Sequence, residues 1–322
     1  MIVKKWYARP SLTLFILGIA VLSCSKGDED PNGKGATTGL TGKLLYTFVG
    51  TVSQLDLATH VERIYFTFNT YGFNDWDMGL DGQYRLLSER EPGEYYLTKF
   101  TLVKNTDGII AGEFNYDSPN ENGTDYAGLL SPDNTRMLVQ PDLHNGIVIA
   151  DLEGSILTHL EGINNGMETI TLGLGDEVLW LPDHSILFTA GERYILRSAP
   201  PYTNVSLVRE MAYTQWGNLA ANHAGTKIAL QVDKHIHLMD VDGQNLVQVT
   251  ESNGLERSAV FSPDDKYLAV AKKYGDISYW NLAIVPNDGK IHNMDSDPSV
   301  IRVQPKGKNI LAAVDGNFVW IP

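Results

Sequence analysis

Short apolar runs separated by turn-forming residues fill the chain from residue 41 onward. Clear examples are Lys43–Val49, Ile64–Phe68, Lys227–Val232 and Lys266–Ala271, which are rich in β-branched and aromatic side chains. Gly, Asn, Asp and Pro bound these runs, as they commonly bound β-strands. No apolar run keeps the helical period for more than two turns. The pattern therefore predicts an all-β protein.

The predicted strands recur with a period of about 40 residues. Five segments each place a turn before an apolar strand, four of them with a proline in the turn. Their markers are Pro132, Pro182, Ala224, Pro263 and Pro305, spaced by 50, 42, 39 and 42 residues. A second strand, a turn and a third strand follow downstream. About four strands per repeat at this period predict the blades of a β-propeller.

The turn sequences add a resemblance to a known family. Ser131-Pro132-Asp133-Asn134 and Ser262-Pro263-Asp264-Asp265 resemble the TolB-like, WD40-like (PD40-type) propeller repeat, in which a Ser-Pro-Asp-Gly turn joins the two inner strands of a blade. The resemblance is closest over residues 220–322, weaker over 127–219 and weakest before that. It implies that the chain forms a propeller.

Counting repeats predicts six blades, with seven as the alternative. The segment Val52–Phe68 fits the same strand-turn-strand shape and adds a sixth repeat to the five markers. A hairpin around residues 105–108 is left over, either as an insertion or as a truncated seventh blade. The last repeat supplies three strands, whereas the strand Leu44–Val49 has no blade of its own. Pairing this N-terminal strand with the C-terminal blade would close the ring and protect its edges.

The N-terminal segment predicts export and lipidation. Basic residues precede the apolar run Leu12–Leu22, which is too short to span a bilayer. The junction Val21–Cys24 resembles the lipobox of bacterial lipoproteins, in which the cysteine is lipidated. The segment Ser25–Asp30 resembles the acidic surface-export tag of Bacteroidetes lipoproteins. We therefore expect a signal peptide over 1–23, a flexible tether over 24–42 and a propeller over 43–322, in an outer-membrane lipoprotein facing the periplasm or the cell surface.

Charge and cysteine content narrow the possible partners. The net charge of −14 becomes −17 when Lys4, Lys5 and Arg9 leave with the signal peptide. This acidity disfavours nucleic acid and anionic lipid surfaces, so membrane contact is expected through the lipid alone. Cys24 is the only cysteine, and the fold therefore has to close without disulfides.

Signals for catalysis or metal binding are sparse, and we predict no cofactor and no metal. No nucleophile elbow, zinc-protease motif or phosphate loop is present. His235 and His237 share one face of a predicted strand, but a strand with two exposed imidazoles around a buried isoleucine explains them better. The acidic turns at 79–83 and 240–244 lack the remaining ligands of a calcium loop and are expected to be hairpin turns.

Loops expected to open on one face of the ring carry the candidate ligand-binding residues, which are Tyr71, Asp75, His144, Trp216 and Tyr274. Aromatic side chains in such loops suit carbohydrate stacking or protein contacts. Three other tryptophans are expected to pack between blades on the third strand of their repeats, namely Trp76, Trp280 and Trp320.

These observations favour a non-enzymatic binding or scaffold protein for a protein, peptide or glycan. One alternative is a metal-assisted polysaccharide lyase with His144, His223 or His235 near the ring axis, because oligogalacturonate lyases with this propeller use histidines and a metal there. A second alternative is an envelope-assembly partner that resembles TolB.

Overall fold

The computed structural model describes residues 39–68, 74–91, 93–94, 97–117, 126–142, 146–160, 162–164, 169–173, 175–274 and 279–322. Within these residues the chain forms 29 strands and no helix. Accordingly, none of this part of the chain forms a helix long and apolar enough to cross a membrane. Six sheets of four or more strands form the blades of one ring, and the predicted all-β, six-bladed propeller is confirmed.

The blades follow one another along the chain, each running from its innermost to its outermost strand. Blade 1 contains β1 (Lys43–Phe48), β2 (Thr51–Asp56) and β3 (Glu62–Thr67), and its innermost strand comes from the end of the chain. Blade 2 contains β4 (Asn74–Met78), β5 (Tyr84–Arg90), β6 (Leu97–Lys104) and β7 (Ile110–Asp117). Blade 3 contains β8 (Gly128–Leu130), β9 (Arg136–Asp142), β10 (Gly146–Asp151) and β11 (Ile156–Leu160).

The second half of the ring adds two small sheets between blades. The first is the hairpin of β12 (Gly162–Asn164) and β13 (Thr169–Thr171). Blade 4 contains β14 (Val178–Trp180), β15 (Ile186–Ala190), β16 (Tyr194–Ser198) and β17 (Val205–Glu210). Blade 5 contains β18 (Trp216–Ala221), β19 (Lys227–Val232), β20 (His235–Asp240) and β21 (Val247–Gln248).

Blade 6 completes the ring. The second small sheet pairs β22 (Thr250–Glu251) in parallel with β26 (His292–Asn293). Blade 6 contains β23 (Glu256–Phe261), β24 (Tyr267–Lys272), β25 (Trp280–Pro286), β27 (Ile301–Arg302) and β28 (Ala313–Val314). The last strand, β29 (Phe318–Ile321), is the innermost strand of blade 1.

Each blade buries both faces of its sheet against its neighbours. Central strands such as β15 and β24 are therefore almost entirely buried and read as continuous apolar runs rather than as alternating ones. Among the described residues the buried side chains form six apolar clusters, one at each junction between neighbouring blades. Continuous burial around the ring supplies the core that disulfides cannot supply in this chain.

The ring closes through the predicted pairing of the N-terminal and C-terminal strands. The two ends of the chain, however, contribute different numbers of strands from those predicted. Strand β1 pairs antiparallel with β29, and Leu44 lies opposite Trp320. However, the N-terminus supplies three strands of the closing blade and the C-terminus only one, the reverse of the prediction. Strands β27 and β28 both pair with β25 and form the two halves of one outer strand of blade 6, which leaves only β29 for blade 1.

The turn at Pro305 lies in the segment that separates β27 from β28, and not between inner strands as predicted. This segment contacts blade 1: the backbone amide of Lys306 donates to the carbonyl of His60 at 2.8 Å, and Lys308 forms an ion pair with Glu62. The segment therefore strengthens the closure from outside, where it joins the outer edges of blades 6 and 1.

Local chemistry explains why the Pro305 segment looks like an inner turn. One residue in each of the inner turns of blades 2 to 6 has a positive φ of 55° to 69°, namely Gly82, Asn134, His184, Gly225 and Asp265. Gly307, in the Pro305 turn, has φ of 77°. The sequence signal therefore reports the turn conformation, but it does not report where in a blade the turn lies.

The leftover hairpin is neither an insertion nor a truncated blade. It joins β6 and β7, the two outer strands of a complete blade 2. The acidic turn at 79–83 is the inner turn of this same blade, and its Gly82 amide donates to the Gly79 carbonyl at 2.8 Å. The turn at 240–244 closes in the same way, with the Gly243 amide donating to the Asp240 carbonyl at 2.8 Å.

Candidate functional site

Antiparallel strand order divides the connections between two faces of the ring. The connection from the second to the third strand of a blade, and the crossing to the next blade, open on one face, which we call the loop face. The inner turns and the connections from third to fourth strand open on the opposite face, which we call the turn face. The chain enters the ring at the turn face, where Leu40 is buried and the Trp320 indole donates to the Thr41 carbonyl at 2.9 Å.

Three of the five candidate residues can be placed, and all three lie on the loop face. Asp75 is at the start of β4, Trp216 is at the start of β18 and Tyr274 follows β24. Tyr71 and His144 lie outside the described residues, as does Cys24. The three placed residues belong to blades 2, 5 and 6, and no contact joins them directly in the described part of the chain.

Asp75 forms a carboxylate pair with Asp77 on the innermost strand of blade 2. The Asp75 carboxylate accepts from the Trp76 amide at 2.8 Å and from the Asn317 side chain at 2.5 Å. Asp77 accepts from the Leu130 amide of blade 3 at 2.7 Å. Burial raises the pKa of Asp75 to about 7, opposed by the hydrogen bond from Trp76 and reinforced by the charge of Asp77. Burial also raises the pKa of Asp77 to about 6.

Glu177 has a comparable bridging role between blades 4 and 5. Its two carboxylate oxygens accept from the backbone amides of Asn218 and Leu219, each at 2.9 Å. Inner strands expose backbone amides toward the channel, and a carboxylate from the preceding blade satisfies them here. Asp77 and Glu177 thus bind backbone of the neighbouring blade.

Trp216 is half-buried at the crossing from blade 4 to blade 5. Its indole N–H donates to the carbonyl of Glu192, in the loop between β15 and β16, at 3.1 Å. The ring also packs against the apolar cluster between these blades. The hydrogen bond orients the indole of Trp216 at the loop face. A ligand-binding role for Trp216 requires this location.

Tyr274 is held in a group of charged residues. The Lys272 ammonium lies 4.2 Å and the Arg302 guanidinium carbon 4.9 Å from the centre of its ring. Lys272 is only 2% exposed and forms an ion pair with Asp295. Burial raises the pKa of Tyr274 to about 12, opposed by the charge of Arg302. Two cations already contact this aromatic ring, which is therefore less available for stacking than the sequence suggested.

The sequence did not single out Asp77 or Glu177. Asp77 could have been found from its spacing, because residues two apart in a strand share a face and Asp75 was already a candidate. The contacts of Glu177 depend on which strands become neighbours across blades. No local pattern in the sequence carries that information.

The three tryptophans expected to pack are buried. Trp76, Trp280 and Trp320 are 2%, 8% and 3% exposed. Only Trp280 lies on the third strand of its blade, whereas Trp76 and Trp320 lie on innermost strands. The expectation for Trp76 was wrong because the turn within Val52–Phe68 joins β2 and β3, the two outer strands of blade 1, and is not an inner turn. The expectation for Trp320 was wrong because the closure is reversed.

The two described histidines of the lyase hypothesis lie on opposite faces of the ring, and His144 lies outside the described residues. His223 lies in the inner turn of blade 5 on the turn face, and His235 begins β20 on the loop face. His235 and His237 flank the buried Ile236, as the strand interpretation predicts, but both imidazoles are partly buried rather than exposed, and the His235 side chain is 22% exposed. Among the described residues, no three histidine, cysteine or acidic side chains are grouped closely enough to hold a metal ion.

A cleft of about 780 Å³ opens on the turn face between blades 2 and 3. Its acidic rim consists of Asp81, Glu113, Asp133 and Glu153. Three of these carboxylates already have partners: Asn134 donates to Asp81, Ser131 donates to Asp133, and Lys99 pairs with Glu113. The cleft lies on the face opposite the candidate residues.

Comparison with known proteins supports the fold alone. No protein-family model and no curated protein matches the chain. Similar solved structures include TolB from Acinetobacter baumannii, with a TM-score of 0.62 and 17% identity over 87% of this chain and 67% of that one. A putative TolB from Agrobacterium tumefaciens has a TM-score of 0.57 and 12% identity over 88% and 99%. The Cps50 (Swd1) propeller domain of Myceliophteria thermophila has a TM-score of 0.53 and 12% identity over 84% and 88%.

The fold and the arrangement of its two faces define the class of protein to which the chain belongs. The chain is a six-bladed β-propeller with a TolB-like fold, and it has one face rich in loops and one face of tight turns.

Proposed function

We propose that this chain is a lipid-anchored binding or scaffold protein of the cell envelope that presents its loop face to a protein, peptide or glycan. The observation that carries the proposal is the placement of Asp75, Trp216 and Tyr274 on a single face. The chain enters the ring from the opposite face, at Leu40, so a tether would leave the loop face open. Rigid rings with loops gathered at one end are well suited to binding.

The face can be tested with one aromatic residue and a matched control. We expect Trp216→Ala to abolish recovery of the partner by in-cell cross-linking, because the variant removes an oriented aromatic contact. Ile109→Ala changes an apolar side chain that is 62% exposed on the turn face, and it should leave recovery unchanged. Equal recovery with both variants would contradict the choice of face.

The anchor requires a separate experiment. Replacing the thiol in Cys24→Ser removes the proposed lipidation site. We expect the protein to lose incorporation of an alkynyl fatty acid and to leave the membrane fraction, because several acyl chains are needed for stable attachment. Unchanged labelling in Cys24→Ser would rule out the anchor and would leave the loop-face proposal intact.

Envelope assembly is the second candidate function, favoured by the similarity of the fold to TolB structures. If it applies, loss of the protein should make cells sensitive to detergents that an intact envelope excludes. A nutrient-capture role would instead impair growth on a particular substrate while leaving detergent resistance normal.

A further inference from the structure

Three basic residues lie where the loops of blades 5 and 6 meet on the loop face. Lys234 lies in the loop between β19 and β20, Arg257 is the second residue of β23, and Lys273 follows β24. We call these three residues the cationic junction. They come together in a chain of net charge −14, in which Lys and Arg are greatly outnumbered by Asp and Glu.

Backbone hydrogen bonds hold the three segments together. The Glu256 amide donates to the Lys234 carbonyl at 2.9 Å, and the Lys273 amide donates to the Leu255 carbonyl at 3.0 Å. The close approach of Gly254 to the Lys273 carbonyl fixes the same arrangement, because a β-carbon on Gly254 would lie 2.7 Å from that oxygen. The cationic junction is therefore built on a fixed backbone.

The charges of the two lysines are not balanced within the described part of the chain. Neither Lys234 nor Lys273 forms an ion pair there, whereas the adjacent Lys272 pairs with Asp295. Asp233, next to Lys234, is exposed and forms no ion pair with it. Burial lowers the pKa of Arg257, and the negative charge of Glu177 opposes this effect. Two lysines that form no ion pair among the described residues leave ammonium groups at the loop face that a ligand carboxylate can bind.

The aromatic rings at this place do not offer a stacking surface. Trp280 is 8% exposed, and Arg257 and Lys273 lie over its ring at 5.9 and 5.8 Å from the centre. Tyr274 is likewise contacted by Lys272 and Arg302. A sugar would need an exposed ring face, whereas a carboxylate needs only the cations. The junction therefore favours a ligand that carries carboxylates over a neutral glycan.

We propose that the cationic junction docks an acidic peptide segment of a partner protein, an inference that rests on the proposed function because it names the partner chemistry of the same face. Asp or Glu side chains of the segment contact the ammonium groups of Lys234 and Lys273, whose charges steer the segment to this part of the loop face.

The test measures fluorescence anisotropy of labelled hexaglutamate and hexalysine, and of labelled hexagalacturonate as the glycan probe, with the purified full-length protein. We expect hexaglutamate to bind more tightly than hexalysine despite the net charge of −14, and to weaken steeply as salt rises. Equal or tighter binding of hexalysine would overturn the proposal.

Lysine variants test whether hexaglutamate binds at the cationic junction. Lys234→Gln and Lys273→Gln should each weaken hexaglutamate by about threefold to fivefold, and the double variant by about tenfold or more. Lys104→Gln changes an exposed lysine at the turn-face end of β6 and should leave the affinity unchanged. An equal loss with Lys104→Gln would show that the binding is nonspecific and would overturn the proposal.

Two further outcomes keep this proposal separate from the proposed function. Binding of hexagalacturonate that Lys273→Gln weakens as strongly as hexaglutamate would overturn the assignment to a peptide. Partner recovery that needs Trp216, without any hexaglutamate binding, would overturn the cationic junction and leave the proposed function standing.

Discussion

At the scale of single residues, the carboxyls of blade 2 are the clearest source of pH dependence. Burial raises the pKa of Asp75 to about 7. Because the folded-state pKa lies above the unfolded value, protonation favours folding, and stability falls as pH rises from about 4 through about 7. The carboxyl of Asp77, with a pKa of about 6, acts in the same direction.

Asp75→Asn should therefore stabilise the protein in alkaline rather than acidic solution. The amide can still accept from Trp76, and it removes the cost of a buried charge. We expect a gain of about 1 kcal/mol at pH 8, because channel solvent moderates the full effect, and a much smaller gain at pH 4.5. Thermal melts at the two pH values measure it, with the exposed Asp242→Asn as the control. An equal gain at both pH values would contradict the assignment.

The buried ion pair of Lys272 and Asp295 tests the energetics of the charged group at the loop face. Asp295→Asn leaves an ammonium that is 2% exposed without its carboxylate and should cost about 2–3 kcal/mol of unfolding free energy. The pair of Lys266 and Asp264 is exposed, so Lys266→Met should cost about 0.5 kcal/mol or less. Chemical denaturation measures both variants, and similar costs would show that Lys272 is hydrated.

At the scale of elements, turn chemistry was predictable and strand partnership was not. The Ser131 hydroxyl donates to Asp133 at 2.7 Å and accepts from the Arg136 amide at 2.9 Å, so the Ser-Pro-Asp motif specifies its own hairpin. The Pro305 segment has a similar local turn but forms between two halves of an outer strand. The sequence therefore predicted the number of blades correctly, while assigning their strands wrongly at the closure.

In the candidate site, too, local features were predictable from the sequence and contacts between strands were not. Asp75 and Trp216 were predictable because each lies next to a recognisable strand boundary. Lys234 and Lys273 come near each other only when blades 5 and 6 pack side by side, where the Glu256 amide donates to the Lys234 carbonyl. Sequence reasoning therefore identified the face of the ring but missed its charge distribution.

The closure between β1 and β29 offers a test on a single element. Gly42 has φ of +87°, and a β-carbon there would lie 2.5 Å from the Ile321 carbonyl oxygen. Gly289 has φ of +79° with nothing within 4 Å, so Gly289→Ala measures backbone strain alone, at about 1 kcal/mol. Gly42→Ala should cost at least about 2 kcal/mol more, since the closure must shift. Equal costs in chemical denaturation would show that this contact does not constrain the ring.

At the scale of the whole molecule, the six blades should behave as one cooperative unit. Removing residues 318–322 deletes β29 and exposes the inner edge of β1 together with two apolar clusters. We expect loss of the cooperative thermal transition and aggregation through the open edge. A chain beginning at residue 39 keeps every described strand and serves as the control. A sharp transition in the chain lacking β29 would show that blades fold independently.

The entry point of the chain would determine which face of a lipid-anchored ring is turned toward the membrane. Leu40 and Thr41 are fixed at the turn face, and about 16 residues separate that point from Cys24. If this segment is the tether that its composition predicts, it would span about 20–25 Å on average and at most about 55 Å when extended. An acyl group on Cys24 would thus keep the tight turns toward the bilayer and the loops outward. A partner embedded in the same leaflet would meet the rim of the ring first, whereas one arriving from the aqueous side would meet the loops directly.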